Sequence, residues 1–262
     1  MNAGTRRPHP TDYRTRHVSE GATRRYAELY GTGTFDSWVW QLERRCLSKA
    51  VQQYALATRP IPRHLDFACG SGRVLEFLQP LVQEPTGIDI SRPMLNMARA
   101  RVPGARLILE DGSKEGVLPR DHFDLVTAFR FFLNADDDLR RGVLRAIAQT
   151  LRSDGLLIAN IHGNLWSARL PSFLFRRYLL RQEMNALTLH RMRRLLREQG
   201  FSIVAVFGVG FPTRKMYRLL GRRACGAIER VLSSVPPFRY VAVNLILVCV
   251  KRPSFQGAEG PV

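Results

Sequence analysis

The stretch that most constrains the fold is His64–Leu78, which reads HLDFACGSGRVLEFL. A short apolar strand pattern ends at Ala68, and a tight turn containing Gly70 and Gly72 follows it. Behind the turn, apolar side chains recur at the spacing i, i+3, i+4 and i+7, which is typical of one buried helix face. A strand, a glycine turn and a helix in this order form the first unit of a nucleotide-binding α/β sheet.

The glycine turn does not match two common nucleotide sites. A dinucleotide site expects G-x-G-x-x-G, but Leu75 stands where the third glycine belongs. A phosphate-binding P-loop expects a lysine directly after the glycines, and Arg73 stands there instead. Since short glycine motifs are weak signals, an ordinary turn between a strand and a helix remains an alternative at this point.

The residues Asp66–Gly72 resemble motif I of the class I S-adenosylmethionine-dependent methyltransferases, whose usual form is D-x-G-C-G-x-G. Ala68 replaces the first glycine of that motif. Asp89 follows Gly70 by nineteen residues, and an acid about 20 residues beyond such a turn accepts hydrogen bonds from ribose hydroxyls. A lone acid at a strand end can also serve as a cap. The resemblance further implies that Asp111 accepts a hydrogen bond from the adenine amino group.

The rest of the chain alternates strand and helix patterns, with a long helical connection before the last strand. This order resembles the methyltransferase sheet over about residues 36–251. It implies an α/β, Rossmann-like, doubly wound fold of seven strands, mostly parallel, with the last strand antiparallel and helices on both faces. The expected organisation is a disordered basic arm (1–20), one methyltransferase domain (21–252) with an N-terminal helical lid (22–57) and helical insertions (164–186 and 213–235), and a loose tail (253–262).

By this resemblance the chain binds S-adenosyl-L-methionine and transfers its methyl group to an acceptor. The residues expected to bind the cofactor lie on the glycine turn and after the neighbouring strands: Asp66, Ala68, Gly70, Gly72, Asp89, Ile90, Met94, Asp111, Gly112, Ser113 and Phe129. The residues expected to bind the acceptor are aromatic or polar: Tyr26, Tyr30, Arg130, Asn134, Trp166 and Phe173.

Methyl transfer is an in-line displacement at a sulfonium carbon, so orientation of the two reactants supplies much of the rate. A general base is needed only when the acceptor is protonated, as an alcohol or phenol is. His162 falls at the carboxyl end of a strand pattern, where it can accept a substrate proton or hydrogen-bond a backbone carbonyl. The four cysteines are spread widely and form no Cys/His cluster, so no metal is expected.

The formal net charge is +18, and all but four of the 40 basic residues are arginines. Such a charge suits an anionic partner, either nucleic acid or a membrane surface. The arginines are distributed along the chain, which favours a generally basic surface over a dedicated nucleic-acid site. Residues 165–182 mix aromatic side chains with arginines, and three roles are open: contact with an anionic membrane, a wall of the acceptor site, or cover for the sheet.

Three functions therefore remain. The first is methyl transfer to a small-molecule acceptor, with lipid-linked and aromatic compounds as the candidates. The second is nucleic-acid methylation, although no N-P-P-Y-type motif is found. The third is a non-catalytic, cofactor-binding partner subunit. The polar N-terminus and the short apolar run Tyr240–Val250 favour a cytoplasmic protein, with contact at a membrane surface as an option.

Overall fold

The computed structural model describes residues 21, 28–55, 61–181 and 187–252. Its strands are Ile61–Phe67 (β1), Val82–Asp89 (β2), Arg106–Leu109 (β3), Phe123–Ala128 (β4), Leu151–His162 (β5), Phe201–Val209 (β6) and Asn244–Lys251 (β7). They form one sheet in the order β3-β2-β1-β4-β5-β7-β6. The pairings from β3 to β5 are parallel, whereas β7 runs antiparallel to both β5 and β6. The predicted fold class is confirmed.

The helices are Phe35–Tyr54 (α1), Arg73–Leu78 (α2), Arg92–Arg101 (α3), Asp137–Thr150 (α4), Leu170–Leu174 (α5), Leu189–Glu198 (α6) and Arg214–Ser234 (α7). Capping side chains define several of their starts. Ser91, Asp136, Thr188 and Thr213 each accept a hydrogen bond from a backbone N–H three residues on. Shorter helical turns cover Gln79–Leu81, Phe175–Leu179 and Pro236–Val241.

The sheet is covered on both faces. Helix α1 packs Leu47 and Val51 with Ile246 and Val248 of β7 on one face. On the other face, α4 and α6 pack against the strands through residues such as Leu144. Because both faces of the central strands are covered, the sequences of these strands are almost continuously apolar. In β7, every residue from 245 to 249 is fully buried.

The strand order changes sides between β1 and β4. Strand β1 pairs in parallel with β2 on one side and with β4 on the other, so the chain leaves β1 towards one edge of the sheet and later continues from β4 towards the other edge. Open α/β sheets bind ligands in the crevice beyond the carboxyl ends of two such strands. The glycine turn follows β1, and Phe129 and Arg130 follow β4, so both border this crevice.

The last strand starts later than its apolar pattern indicates. Tyr240 and Val241 belong to a 3-10 turn that crosses β6 instead of joining the sheet. The crossing is close, because a Cβ added to Gly208 would lie 2.2 Å from the carbonyl oxygen of Arg239. In the described part of the chain, no helix is both long enough and apolar enough to cross a bilayer.

The predicted domain layout is described only in part. The arm (1–20), the tail (253–262) and residues 22–27, 56–60 and 182–186 lie outside the described residues. Within the expected lid, α1 begins at Phe35, because Thr34 caps it by accepting from the N–H of Ser37, and Asp36 lies in its first turn. Most of α1 covers the sheet, while Tyr30, just before it, faces the crevice.

Candidate functional site

The turn between β1 and α2 holds left-handed backbone at Ala68 (φ 55°), Gly70 (φ 53°) and Gly72 (φ 76°). Gly72 also lets two helices approach, because a Cβ there would lie 3.0 Å from the Cβ of Ala98 on α3. A Cβ on Gly70 would meet open space, so this residue leaves room in front of the turn. Ala68 adopts a conformation that favours glycine, which explains why the related motif has glycine there.

A cavity of about 260 Å³ lies in front of this turn, and we call it the glycine-turn cavity. Ten residues predicted for cofactor or acceptor binding line it, together with His162, the predicted catalytic residue: Asp66, Ala68, Gly70, Asp89, Ile90, Met94, Phe129, Tyr30, Arg130 and Asn134. The structure therefore brings together side chains from both predicted groups. It also adds residues that the sequence did not single out: Leu29, Asp36, Cys69, Arg73 and Val74.

A narrower cavity of about 40 Å³, the Asp111 slot, lies beside the first. The two share Ala68, Asp89 and Ile90. Most of the slot wall is apolar, and Asp89, Glu110 and Asp111 supply its acids. A flat ring with an exocyclic amino group suits such a slot, because the faces meet apolar groups and a carboxylate can accept from the amino group.

Gly112 and Ser113 shape this slot from behind. The N–H and the hydroxyl of Ser113 both donate to Oδ1 of Asp111, at 3.0 Å and 2.6 Å. A Cβ on Gly112 would lie 2.8 Å from the ring of Phe67, so only glycine fits there without a shift. Ser113 therefore orients Asp111, Gly112 makes room for Phe67, and neither residue lies on the slot wall.

Backbone donors fix the Asp89 carboxylate at the meeting point of the two cavities. Its Oδ2 accepts from the N–H of Gly70 at 2.8 Å, and its Oδ1 accepts from the N–H of Ser91 at 2.9 Å. An ionised carboxylate offers about four acceptor positions. Asp89 could therefore accept hydrogen bonds from the hydroxyls of a bound ligand. Such a ligand would place a base in the slot and a polar group in the larger cavity.

Asp66 belongs to a buried chain of polar groups beneath the glycine-turn cavity. The Thr127 hydroxyl donates to Oδ1 of Asp66 at 2.7 Å, and Nε2 of His64 lies 2.8 Å from the Thr127 oxygen. Burial raises the pKa of Asp66 to about 7 and lowers the pKa of His64 to about 3. Neutral His64 therefore donates through Nε2–H, and Asp66 titrates near neutral pH. A cationic ligand group beside Asp66 would favour its ionised form.

Arg130 is held rigidly after β4 in left-handed backbone (φ 62°). Its N–H donates to Oδ1 of Asn160 at 2.6 Å, and its guanidinium lies 3.3 Å from Oε2 of Glu43 on α1. Glu43 is fully buried and also accepts from the Asn160 side chain at 3.2 Å. Glu43 and Asn160 were not predicted from the sequence, because Glu43 lies 87 residues from Arg130 and no local pattern marks it.

His162 lies at the end of β5, with Nε2 3.4 Å from the Nδ2 of Asn134. Its Nδ1 is buried and makes no hydrogen bond within the described residues. Burial, and then the charges of Arg130 and Arg169, hold the pKa of His162 well below its usual range. The imidazole is therefore neutral at pH 7, and its catalytic role stays a prediction.

Arg73 is a further arginine that the sequence did not single out. Its guanidinium carbon lies 3.5 Å from the ring centre of Tyr30 and 4.8 Å from that of Trp40. These cation–π contacts hold the segment before α1 against the glycine turn. Because arginine is so common in this chain, its position directly after Gly72 was not an informative signal.

A third cavity, of about 500 Å³, opens beside the first, and we call it the basic cavity. The two share Asp36, Arg130 and His162. Four of its wall residues are cationic: Arg130, Arg169, Arg214 and Lys215. It lies where the insertion after β5 meets the start of α7, which is the region in which an acceptor site was expected.

The aromatic residues predicted for the acceptor site are placed differently from its polar ones. Trp166 is 61% exposed, and neither it nor Phe173 lies on the wall of the three cavities. Their segment contributes Ala168, Arg169, Pro171 and Ser172 to the basic cavity instead. Tyr26 lies outside the described residues. Within those described ranges, no group of three or more His, Cys, Asp or Glu residues could hold a metal ion.

Comparisons of the chain with known proteins find methyltransferases. Residues 65–155 match the family model described as "Methyltransferase domain". One curated relative is the uncharacterized methyltransferase YcgJ of Bacillus subtilis, 31% identical over 104 residues, which are 38% of this chain and 40% of that protein. Another is the demethylmenaquinone methyltransferase of Thermotoga maritima, 29% identical over 178 residues, which are 59% and 76% of the two chains. The chain spans about half the length of the first curated relatives it matches.

Among solved structures, the magnesium protoporphyrin IX methyltransferase ChlM from Synechocystis PCC 6803, with bound S-adenosylhomocysteine, superimposes with a TM-score of 0.63. The two chains are 17% identical, and the alignment covers 90% of this chain and 96% of that one. At this identity the likeness shows the fold alone. The same fold thus arises from largely different residues.

Proposed function

We propose that this chain transfers a methyl group from S-adenosylmethionine to a small-molecule acceptor. Its fold is that of the class I S-adenosylmethionine-dependent methyltransferases, and its residues 65–155 match the family model described as "Methyltransferase domain". One observation carries the proposal. Two adjacent cavities at the carboxyl edge of the sheet share Ala68, Asp89 and Ile90, and their walls extend from Asp66, past the glycine turn, to Asp111.

Each group along these cavities fits one part of S-adenosylmethionine. Asp111 would accept from the adenine amino group, and Asp89 would accept from the ribose hydroxyls. Asp66 would face the cationic end of the molecule, where a positive charge favours its ionised form. When bound, S-adenosylmethionine supplies an activated methyl group on a sulfonium sulfur.

The protein's own contribution would be orientation and exclusion of water. Arg130, held by Glu43 and Asn160, forms a fixed wall between the glycine-turn cavity and the basic cavity. Holding two reactants in line lowers the barrier without any covalent step on the protein. Neutral His162, on the same wall, would take a proton from an acceptor hydroxyl if the acceptor is an alcohol or phenol.

A small-molecule acceptor is favoured over nucleic acid. The acceptor would reach the cofactor from the basic cavity, and about 500 Å³ is the size of a site for a small ligand. The names of two relatives, the magnesium protoporphyrin IX and demethylmenaquinone methyltransferases, describe small-molecule acceptors. Nucleic-acid methylation and a non-catalytic partner subunit remain the alternatives.

Contact with an anionic membrane surface is a second part of this proposal. The segment from Leu174 to Leu180 exposes five large apolar side chains: Leu174, Phe175, Tyr178, Leu179 and Leu180. Arg176 and Arg177 lie within it, and Arg181 follows. An apolar surface flanked by arginines is the composition of helices that lie in a lipid interface, and such a position would suit a lipid-linked acceptor.

The activity is tested with methyl-labelled S-adenosylmethionine, a small-molecule extract and a total RNA fraction, each incubated with the protein. We expect label in the small-molecule fraction, and we expect Asp89→Ala to abolish or strongly reduce it. Label confined to RNA would favour the nucleic-acid alternative. Cofactor binding without labelling of either fraction would favour the partner-subunit alternative.

A further inference from the structure

The basic cavity has more positive charge than its carboxylates balance. Two of its four cations are paired: Arg130 with Glu43, at 3.3 Å, and Arg214 with Asp36, at 2.5 Å. The other two, Arg169 and Lys215, have no carboxylate within ion-pair distance among the described residues. Among the described residues, the wall therefore presents two positive charges without an ion-pair partner.

The surroundings of Arg169 make this excess unfavourable when no anion is present. Burial lowers the pKa of its guanidinium, the nearby charges of Arg130, Arg176 and Arg214 lower it further, and Asp36 offsets only part of this decrease. Like charges held close together repel, and an oxyanion between them would replace this repulsion with charge-assisted hydrogen bonds. A guanidinium and an ammonium are the usual partners of carboxylate and phosphate groups.

Local structure holds Arg169 in this place. Gly163, directly after β5, has a left-handed backbone (φ 79°), and a Cβ there would lie 2.8 Å from Nη1 of Arg169. The glycine thus leaves the space that the guanidinium occupies. Ser167 fixes the backbone as well, because its hydroxyl oxygen accepts from the N–H of Arg169 at 3.3 Å. The residue is therefore positioned by the fold at the cavity wall.

Uncharged polar groups complete the wall. Ser172 and Thr213 provide hydroxyls, and Asn244, whose residue is 4% exposed, provides an amide. The cavity meets the glycine-turn cavity at Arg130 and His162, which is where the methyl group would be presented. A molecule with its charged end at Arg169 would therefore extend its other end towards the cofactor.

We propose that the basic cavity binds a carboxylate or phosphate group of the methyl acceptor, and that Arg169 and Lys215 hold this oxyanion. The proposal deepens the function proposed above and rests on it, because it takes the bound molecule to be the acceptor. It assigns a substrate class, anionic small molecules, and it assigns two specificity-determining residues.

The test measures binding of three probes of similar shape, namely benzoate, phenyl phosphate and the uncharged benzamide. Each is titrated into the full-length protein with and without saturating S-adenosylhomocysteine. We expect one or both anions to bind at least about tenfold more tightly than benzamide, since an oxyanion accepts charge-assisted hydrogen bonds that an uncharged amide does not. The tighter of the two anions distinguishes a carboxylate from a phosphate.

Two variants and a control test the residues. Arg169→Gln and Lys215→Gln should each weaken binding of the preferred anion by about tenfold, while leaving the affinity for S-adenosylhomocysteine unchanged. Arg197→Gln removes the same charge from the exposed end of α6, at the opposite edge of the sheet, and should change neither affinity.

Failure of the oxyanion site and failure of the methyltransferase function give different results in this test. Equal affinity for benzamide and the anions, or unchanged anion affinity in both cavity variants, overturns the proposed oxyanion site. Unchanged affinity for S-adenosylhomocysteine in those variants shows that they are folded. If the parent protein binds no S-adenosylhomocysteine but anions still bind through Arg169 and Lys215, the methyltransferase function is overturned and the bound anion is not an acceptor.

Discussion

At the scale of single residues, Ala68 is the position where the sequence departs most clearly from the glycine motif. The structure gives it a left-handed backbone (φ 55°), which costs an alanine about 1–2 kcal/mol. Part of the gain from a glycine would be lost because glycine is more disordered in the unfolded chain. We therefore predict that Ala68→Gly raises the free energy of unfolding by up to about 1 kcal/mol.

Denaturant titration of the parent and variant measures this difference. Gly70→Ala is the matched control, because Gly70 has a similar backbone (φ 53°) and open space at its Cβ position. It should lower stability through backbone strain alone. A loss of stability in Ala68→Gly would show that the Ala68 methyl group contributes more by packing than the backbone strain costs.

The pKa of Asp66 leads to a prediction about pH. Burial raises this pKa from 3.8 to about 7, so the folded state binds the proton more tightly than the unfolded state does. Between those two values the carboxyl group makes the fold less stable as the pH rises. Asp66→Asn removes this effect, so we predict a larger gain in unfolding free energy at pH 8 than at pH 5, by on the order of 1–3 kcal/mol.

Thermal or denaturant unfolding at both pH values tests the sign. Burial lowers the pKa values of two histidines, His64 in the core and His162 at the cavity wall. These histidines make the parent protein more stable as the pH rises, which is the opposite direction. Because the parent and Asp66→Asn contain the same histidines, the difference between their unfolding free energies removes the histidine contribution. An equal gain at pH 5 and pH 8 would contradict a raised pKa of Asp66.

At the scale of elements, the sequence was informative where function depends on short spacings. The glycine turn, Asp89 and Asp111 each follow a strand, and parallel strands bring their carboxyl ends to one edge, so their meeting was predictable. The partners of Arg130 were not, because Glu43 comes from α1 and its contact depends on how that helix packs on the sheet. Trp166 and Phe173 were expected at the acceptor site from composition, which does not determine the direction of a side chain.

The exposed segment from Leu174 to Leu180 gives a prediction for an element. If it lies on an anionic membrane, the protein should co-sediment with vesicles containing an anionic lipid and should not co-sediment with neutral ones. Replacing Tyr178 and Leu179 together with serine should weaken this binding several-fold, because both side chains are more than 70% exposed and lose apolar area.

The matched control replaces Val204 with serine, since Val204 is an exposed apolar residue of β6 (45% exposed) outside the segment. It should bind vesicles as the parent does. If the parent is absent from both pellets, the membrane part of the proposal is wrong and the apolar segment has another role.

At the scale of the whole molecule, the order of elements resembles the methyltransferase sheet, and that resemblance correctly implied seven strands with β7 antiparallel. Composition was less informative, because a net charge of +18 is compatible with nucleic acid, lipid or a small anion. Only the structure shows that four cations surround one cavity beside the glycine turn. These cations come from three separate stretches, after β4, after β5 and at the start of α7, so no local sequence pattern could group them.

Calorimetric titration with S-adenosylhomocysteine tests the central claim most directly, because it measures the cofactor site without knowledge of the acceptor. We predict one binding site in the parent protein, no binding of NAD, and an affinity lowered about tenfold or more in folded Asp89→Ala, which loses the fixed acceptor between the two cavities. Asp154→Ala, which removes an exposed acid from β5, should bind as the parent does. Absence of S-adenosylhomocysteine binding, or unchanged affinity in Asp89→Ala, would contradict the proposed cofactor site.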